Sequence, residues 1–405
     1  MLLSGVVLYV YSLPLSLPVC PQAPCRFRYI LVRIFYHGNF YGSVIQLSDN
    51  KQHFHLLEFH LARHDMIECG HSNTDAVSSV SLLHFSIQKA VDTLIKSVIH
   101  GSCETKKSKT YIRDIEETQK KLFRLIAGGS ELLQVVSDFD QTMSKYWHNG
   151  ALVVSCHGVI KADPELTEEA KQKLKQGDKK YLPIEFDPNL SNAEKIPFML
   201  DWWTNAHKTI VDCKLHRDIL ARTVKECSVE LREGLSDFMG LLQKYGIPLL
   251  IFSAGIGDVI ELLLQDRSLY TENVRVISNF MEFNEDGVLV GFREPLIHTF
   301  NKSANSVAND HFAQLSSERR NVLLIGDSIG DVNMADGAVD EDPAGTSGTV
   351  LRVGFLNGLV EASLEKYQSL YDIVLVNDDT FDVPLSIVRS VVNRSSAFVD
   401  GVRTS

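Results

Sequence analysis

The chain has 405 residues, of which 44% are hydrophobic, so it is long enough for two domains with a substantial buried core. Its formal net charge of −11 argues against a basic surface for nucleic acid or anionic lipid. Its seven cysteines are scattered without the spacing of a zinc site, which is typical of reduced thiols. We therefore expect a cytoplasmic globular protein with no nucleic-acid partner.

The first hundred residues differ from the rest of the chain. They begin with the apolar run MLLSGVVLYVYSLPLSLPVC, in which Pro14 and Pro18 disfavour a membrane-spanning helix. Because no basic residue precedes this run, it matches a signal peptide only weakly. We expect residues 1–105 to form a poorly ordered extension without a membrane anchor and without a part in the chemistry.

From about residue 108, the sequence predicts alternating helices and strands. The segment YIRDIEETQKKLFRLIAGG has helical periodicity and is expected to end at Gly128 and Gly129. Short apolar runs that end on polar residues then predict buried parallel strands: LLQVVSDFD, IPLLIFSAG, VRVISNF, NVLLIGDS and YDIVLVNDD. Helical patterns separate most of these runs. The chain is therefore predicted to have an α/β fold, with a Rossmann-like parallel sheet covered by helices on both faces.

The alternation is interrupted between Asp140 and about Gly234, where the pattern is mostly helical. A helical block that enters after the first strand and leaves before the second would lie over the carboxyl edge of the sheet, where such folds bind ligands. We therefore predict a core at residues 106–154 and 233–405, with a helical cap at residues 155–232.

Four places along this pattern carry side chains that together suit phosphoryl transfer. They are Asp138 with Asp140, Ser253 with Ala254, Lys302, and Asp327 with Asp331. Neighbouring carboxylates repel each other unless a cation neutralises them, and Mg²⁺ is commonly bound by a few carboxylates and a substrate phosphate. A carboxylate that faces the phosphorus can act as a nucleophile. The sequence thus predicts a Mg²⁺-dependent phosphoryl-transfer site.

The motifs DFDQT, FSAG, a downstream lysine and GDSIGD resemble the four motifs of the haloacid dehalogenase (HAD) superfamily of phosphatases. Over residues 108–392, the segments PIEFDP, FSAGIGDVIE, VISNFMEF, LIHTFNK and GDSIGDVNMADG are similar to the cytosolic 5′-nucleotidase III family, the pyrimidine 5′-nucleotidases. The resemblance implies a HAD-like core with a helical cap. It also implies Mg²⁺-dependent hydrolysis of CMP, UMP or 7-methylguanosine monophosphate through an aspartyl-phosphate.

The resemblance further implies a role for each motif residue. Asp138 would be the nucleophile, and Asp140 would be the general acid and base. Ser253, the amide of Ala254 and Lys302 would bind the phosphate. The implied metal ligands are Asp138, the backbone carbonyl of Asp140, Asp327, and Asp331 as a ligand or as a support for the other ligands.

Residues of the cap are implied to recognise the nucleoside. Glu185 matches the family position that hydrogen-bonds the base, and Trp203 and Tyr146 match base-stacking positions. Neighbouring residues of a helix point about 100° apart, so we expect either Trp202 or Trp203 to pack inside the cap. Where the family commonly has a serine that helps to bind the base, this chain has Ala206, which leaves room for a larger base.

Two alternatives remain open at this point. A nucleoside phosphotransferase, or a phosphatase of another small molecule, would use the same motif residues, and an added nucleoside acceptor would distinguish them. A catalytically silent nucleotide-binding protein would have lost a motif residue, and none is lost here. We expect a monomer, and the sequence leaves the preferred base undecided.

Overall fold

The computed structural model divides the chain into two compact units, Met1–Leu82 and Leu83–Ser405. The backbone is described for residues 6–13, 28–36, 39–47, 55–61, 73–100, 108–185, 187, 189–302, 318–336 and 348–402. Side chains are described for residues 84–98, 108–185, 187, 189–302, 318–336 and 348–393. Most of the predicted extension therefore lies outside the described side chains, and its separation from the chemistry stays a prediction.

Within the described part of the first unit, four strands form an antiparallel sheet in which they pair in chain order. These strands are β1 (Val6–Leu13), β2 (Arg28–Tyr36), β3 (Asn39–Leu47) and β4 (His55–Leu61).

The second unit alternates strands and helices along most of its length. Its described strands are β5 (Lys109–Ile112), β6 (Leu133–Ser137), β7 (Trp147–His148), β8 (Ala151–Leu152), β9 (Leu249–Ile256), β10 (Val274–Asn279), β11 (Met281–Phe283), β12 (Leu289–Phe292), β13 (Asn321–Gly326), β14 (Thr349–Leu356) and β15 (Ile373–Val376). The described helices of the chain are α1 (Asn73–His100), α2 (Ile115–Leu132), α3 (Cys156–Ala162), α4 (Glu168–Glu185), α5 (Asn192–Asp212), α6 (Arg217–Glu226), α7 (Leu235–Lys244), α8 (Gly257–Asp266), α9 (Val360–Leu370) and α10 (Asp382–Val402). None of these helices combines the length and the apolar character needed to cross a membrane.

A seven-stranded sheet forms the centre of the second unit. Its strand order is β10-β9-β6-β13-β14-β15-β5. All neighbouring strands are parallel except the edge strand β5, which runs antiparallel to β15. The predicted α/β fold with a mostly parallel sheet is therefore confirmed.

Alternate residues of the strands build two apolar cores, one on each face of the sheet. Along β13, Leu323 and Ile325 belong to the cluster that includes residues of α1, α2, α7, α8 and α10. Val322 and Leu324 belong to the opposite cluster, against which α9 packs. All six residues of β13 are buried. This continuous burial explains why the strand reads as an apolar run rather than as an alternation of apolar and polar residues.

The segment before β6 differs from its prediction at the amino end. Residues predicted to begin a helix at Tyr111 instead form β5, and α2 begins at Ile115 after Asp114, whose carboxylate accepts a hydrogen bond from the Glu117 amide at 3.0 Å. Pairing with β15 supplies the strand partner that local sequence does not reveal. Gly129 has a positive φ of 68° and interrupts the helix close to the predicted end.

The helices α3 to α6 follow β6, the first parallel strand of the sheet, and precede α7 and β9. Within this block, α4 packs on α5 through Tyr181, Met199 and Trp202. The predicted helical insertion after the first parallel strand is present, while the exact domain bounds stay a prediction.

Candidate active site

The carboxyl ends of three adjacent strands meet at the centre of the sheet. Asp138 follows β6, Ser253 lies in the last half of β9, and Asp327 follows β13, and β6 pairs with both of the other strands. These three residues line a cavity of about 980 Å³, whose walls also include residues of α4 and α5. The cavity therefore lies where ligands of open parallel sheets bind, between the sheet edge and the inserted helices.

A buried lysine bridges two carboxylates at the base of this cavity. Lys302 Nζ lies 2.6 Å from Asp138 Oδ1 and 2.8 Å from Asp331 Oδ1. Burial acts against the Lys302 ammonium, but Asp138 and Asp331 outweigh it and raise the pKa of Lys302. Burial raises the pKa of Asp138, and Lys302 opposes this effect. The lysine is therefore held in its charged form next to Asp138.

Asp138, Asp327 and Asp331 form an acidic triad in which one carboxylate oxygen of each residue lies within 4.8 Å of the other two. Lys302 contacts two members, whereas Asp327 Oδ1 accepts a 3.3 Å hydrogen bond from the Thr142 hydroxyl. Burial and the charge of Asp138 raise the pKa of Asp327 well above its usual range. One ammonium cannot neutralise three ionised carboxylates, and the raised pKa of Asp327 shows that its charged form is disfavoured without a further cation, so the oxygen donors of the triad fit a hard divalent cation.

Asp331 also shapes the loop that follows β13. Its Oδ2 accepts hydrogen bonds from the amides of Asp327 at 3.1 Å and Ser328 at 2.9 Å. A Cβ added to Gly326 would lie 2.5 Å from Asp331 Cβ, so only glycine allows this close approach. Asp331, the last residue of the motif GDSIGD, thus orients the backbone of Asp327 and Ser328 near the start of the motif.

Asp140 lines the cavity, but its side chain lies outside the acidic triad. Its carboxylate accepts hydrogen bonds from the Cys156 amide at 2.9 and 3.2 Å, at the first residue of α3. Burial raises the pKa of Asp140 to about 6, although the Cys156 hydrogen bonds oppose it. A carboxyl group with this pKa can hold and release a proton near neutral pH. The predicted metal ligand of Asp140 is its backbone carbonyl oxygen and not its side chain.

Ser253 and Ala254 both line the cavity next to Asp140. Ser253 Oγ accepts a hydrogen bond from the Gly255 amide at 3.1 Å. A Cβ added to Gly255 would lie 3.1 Å from Asp140 Oδ2 and 3.1 Å from Cys156 Cβ, so a side chain there would crowd this corner. The helix expected to start at Gly255 starts at Gly257, because β9 continues to Ile256.

Glu185 lines the cavity at the carboxyl end of α4. Its Oε1 accepts a hydrogen bond from the Thr299 hydroxyl at 2.5 Å, and its backbone carbonyl accepts one from Lys195 Nζ at 2.8 Å. Burial raises the pKa of Glu185, and the Thr299 hydrogen bond opposes the shift. Sequence reasoning missed Thr299 and Lys195, because neither lies in a motif that signals contact with Glu185.

Trp202 and Trp203 both line the cavity, and their rings stack with centroids 5.2 Å apart. Trp202 also stacks on Tyr181 inside the helical insertion, at 5.7 Å. The Trp203 ring lies 4.3 Å from the ring of His157, a cavity residue that carried no sequence signal. Ala206 lies on the same wall.

The structure does not bring Tyr146 to this wall. Tyr146 is absent from the described residues that line the cavity, and a Cβ added to Gly358 would lie 2.8 Å from its hydroxyl. The hydroxyl of Tyr146 thus packs against backbone at Gly358, in the segment between β14 and α9.

Comparison with known proteins identifies relatives over most of the second unit. The model of the family described as pyrimidine 5′-nucleotidase (UMPH-1) matches residues 141–392, more than half of the chain. A 7-methylguanosine phosphate-specific 5′-nucleotidase A from Xenopus laevis is 39% identical over 284 residues, which cover 70% of this chain and 96% of the relative. The Homo sapiens 7-methylguanosine phosphate-specific 5′-nucleotidase is 38% identical over 286 residues, covering 71% and 93%, respectively.

A solved structure is also similar to this chain. The crystal structure of cytosolic 5′-nucleotidase IIIB bound to cytidine matches with a TM-score of 0.66 and 33% sequence identity. The match covers 75% of this chain and 99% of that chain.

Proposed function

Because the chain belongs to the pyrimidine 5′-nucleotidase (UMPH-1) family and is a 5′-nucleotidase with a HAD-like fold, we propose that it hydrolyses nucleoside 5′-monophosphates with Mg²⁺ through an aspartyl-phosphate on Asp138. The observation that carries this proposal is the bridge that Lys302 forms between Asp138 and Asp331. Asp327 lies beside this bridge and accepts a hydrogen bond from the Thr142 hydroxyl. The family resemblance predicted from the motifs is confirmed, whereas the metal and the mechanism are proposals.

The acidic triad and the backbone carbonyl of Asp140 would hold the Mg²⁺. When bound, this cation neutralises charge on the transferring phosphoryl group. Lys302 adds a fixed positive charge beside Asp138, which favours the ionised, nucleophilic carboxylate and lowers the repulsion between it and an incoming phosphate. Ser253 and Ala254 line the cavity, and the Ser253 hydroxyl and the Ala254 amide would donate hydrogen bonds to phosphate oxygens.

In the first step, an oxygen of Asp138 forms a bond to phosphorus while the bond from phosphorus to the ribose O5′ breaks. Asp140 gives its proton to O5′, so the nucleoside leaves as a neutral alcohol. Its pKa of about 6 keeps a fraction of Asp140 protonated near neutral pH, and the Cys156 amide fixes the carboxyl group in place.

In the second step, water attacks the phosphorus of the aspartyl-phosphate. Asp140, now deprotonated, accepts a proton from this water, and the bond from phosphorus to Asp138 breaks. Inorganic phosphate is released, and Asp138 returns as a carboxylate. One carboxyl group thus serves as acid in the first step and as base in the second.

We propose that the substrates are 7-methylguanosine monophosphate and CMP, with UMP as a further pyrimidine substrate. The names of the two relatives support the methylated purine, and the cytidine bound to the structural relative supports the pyrimidine. Trp203 contributes an aromatic ring to the cavity wall, and attraction between such a ring and a cationic base is worth roughly 0.5 to 2 kcal/mol. Glu185 offers acceptors to the exocyclic amines of cytosine and guanine.

Release of inorganic phosphate tests the proposal, measured as kcat/KM for CMP, UMP, AMP and 7-methylguanosine monophosphate. We expect activity on the methylated purine and on CMP, little activity on AMP, and a loss of preference for the methylated purine in Trp203→Ala. Trp147→Ala is the matched control, because Trp147 is 48% exposed and does not line the cavity. AMP as the best substrate, or unchanged ratios in Trp203→Ala, would contradict the proposed base site.

We also propose that the protein acts in the cytoplasm as a monomer. The structural relative is named a cytosolic enzyme, and the cavity of this chain is built from residues of a single unit. Cell fractionation and light scattering of the purified protein test these two points.

A further inference from the structure

The hydroxyl of Thr299 joins the helical insertion to the loop that carries Lys302. Thr299 lies three residues before Lys302, and its Oγ1 donates a hydrogen bond to Glu185 Oε1 at 2.5 Å across 114 positions of sequence. Both partners line the cavity. Thr299 thus links Glu185, which is proposed to recognise the base, to the segment that carries Lys302, which contacts Asp138.

The backbone of Thr299 is fixed independently of this hydrogen bond. A Cβ added to Gly330 would lie 2.2 Å from the Thr299 carbonyl oxygen, so the Thr299 backbone packs tightly against the loop that leads to Asp331. On the other side, Lys195 Nζ holds the backbone carbonyl of Glu185 at 2.8 Å. Lys195 is 1% exposed, so this contact is shielded from water. With both backbones held, the hydrogen bond from the Thr299 hydroxyl ties down one oxygen of the Glu185 carboxylate.

A carboxylate at the end of a long side chain needs such an anchor to read a base. A glutamate loses rotamer freedom when it binds a ligand, and a side chain that is already held has less freedom to lose. The Thr299 bond occupies one site on Oε1, while an ionised carboxylate has about four acceptor sites in total. The remaining acceptor sites can then receive N–H groups of a base.

Resting on the proposed function, we propose that Thr299 is a positioning residue that orients Glu185 for recognition of the base and so determines nucleotide specificity. Thr299 is not assigned a role in phosphoryl transfer itself. Because Lys302 and Asp138 are held by their own contacts, losing the Thr299 hydroxyl weakens base recognition more than it weakens the chemistry.

The test compares Thr299→Val, which keeps the shape and removes the donor, with Thr299→Ser, which keeps the donor. The substrates are CMP, 7-methylguanosine monophosphate and ribose 5-phosphate, which lacks a base. For Thr299→Val we expect kcat/KM on the two nucleotides to fall about tenfold more than on ribose 5-phosphate, mainly through KM, as for loss of a charged hydrogen bond. Thr299→Ser should restore the nucleotide preference.

A double-mutant cycle with Glu185→Gln separates positioning from a structural role. If Thr299 acts through Glu185, Thr299→Val has little further effect on nucleotide preference once Glu185 is changed. Equal losses on all three substrates, or effects that add in the double variant, would overturn the inference. Thr209→Val is the matched control, since its hydroxyl donates to the Asn205 carbonyl at 2.8 Å outside the cavity.

Failure of this inference differs from failure of the proposed function. If native protein releases no phosphate from any of the nucleotides, the proposed function itself is wrong. If native protein is active and Thr299→Val keeps the native nucleotide preference, the proposed function stands and the role of Thr299 is rejected.

Discussion

Arg232 donates a hydrogen bond from Nε to the carbonyl oxygen of Thr142 at 2.7 Å, although Arg232 is only 2% exposed. Its Nη2 donates to the carbonyl of Gln141 at 2.6 Å, and its guanidinium lies 3.8 Å from the centre of the Phe355 ring. Gln141 has a positive φ of 63°, which is uncommon for a residue with a side chain. Arg232 therefore stabilises the strained loop that directly follows Asp140.

We predict that Arg232→Met lowers both the melting temperature and kcat. The change leaves the Thr142 carbonyl without its Arg232 donor, and a buried unpaired group costs about 1 to 3 kcal/mol. The Gln141 carbonyl loses Arg232 Nη2 and keeps a hydrogen bond from Asn357 Nδ2 at 3.1 Å. The loop would relax, and Asp138 and Asp140 would lose their fixed orientation. Thermal unfolding and steady-state kinetics on CMP measure the two effects.

Arg319→Met is the matched control for this variant. Arg319 Nη1 donates to the carbonyls of Ser130 at 2.6 Å and Leu133 at 2.8 Å, at the amino end of β6 and therefore away from the cavity. We expect Arg319→Met to lower the melting temperature without lowering kcat. A fall in stability with unchanged kcat in Arg232→Met would show that the loop does not depend on this arginine for activity.

Asp138→Asn should abolish turnover and leave the fold intact. An amide cannot form the acyl-phosphate, and it also removes one negative charge from the acidic triad. Phosphate release measures turnover, and circular dichroism checks the fold. Asp372→Asn is the control, because Asp372 pairs with Lys121 at 2.8 Å and directly precedes β15, at the amino ends of the parallel strands. Substantial activity in Asp138→Asn would reject the nucleophile assignment.

The sequence predicted which strand ends lie together at one edge of the sheet, because strand ends with carboxylates are local patterns. Asp138 and Asp327 each directly follow an apolar run, and parallel strands necessarily bring such ends to one edge. The supporting contacts of the site were not predictable in this way. Arg232 meets Thr142 across 90 positions, and Thr299 meets Glu185 across 114. Such pairs depend on how the insertion packs over the sheet, and single residues carry no signal of it.

Removal of divalent cations should abolish activity and also lower stability. The acidic triad exists only in the folded state, so a cation that binds it stabilises the folded state by mass action. We expect Mg²⁺ to raise the melting temperature of EDTA-treated protein, and Asp327→Asn to weaken this shift and raise the Mg²⁺ concentration needed for half-maximal activity. No change of melting temperature with Mg²⁺, together with full activity in EDTA, would contradict the proposed metal site.

Deletion of residues 1–72 should preserve activity, whereas deletion of residues 1–100 should reduce stability. The longer deletion removes α1, whose apolar face contributes to the core of the second unit. The buried residues on this face are Ile87, Val91, Leu94, Ile95 and Val98, each at most 5% exposed. Burial of one such side chain contributes roughly 1.5 to 3 kcal/mol.

Expression in soluble form, melting temperature and phosphate release distinguish the two deletions. Loss of activity in the shorter deletion would show that the first unit takes part in the function. Unchanged stability in the longer deletion would show that α1 is dispensable for the core.

Two buried histidines should make the stability of the protein depend on pH. Burial lowers the pKa of His207 to about 4 and that of His298 to about 4. In the unfolded chain a histidine titrates near pH 6.5, so between these values the unfolded state binds more protons. Each of these histidines therefore lowers the free energy of unfolding as the pH falls from about 6.5 to 4, with a slope of up to about 1.4 kcal/mol per pH unit.

The buried carboxyl groups act in the opposite direction. Burial raises the pKa of Asp140 to about 6, so in the same pH range the folded state takes up this proton first and gains stability as the pH falls. The net curve mixes both effects, and a single variant isolates one of them. His207→Phe keeps an aromatic ring against Phe292, whose centroid lies 3.8 Å from the His207 ring. Urea unfolding of native protein and variant at several pH values should give curves that diverge below pH 6.5, with the variant less sensitive to acid. Curves that stay parallel from pH 7 to pH 4 would show that His207 is not held neutral in the folded state.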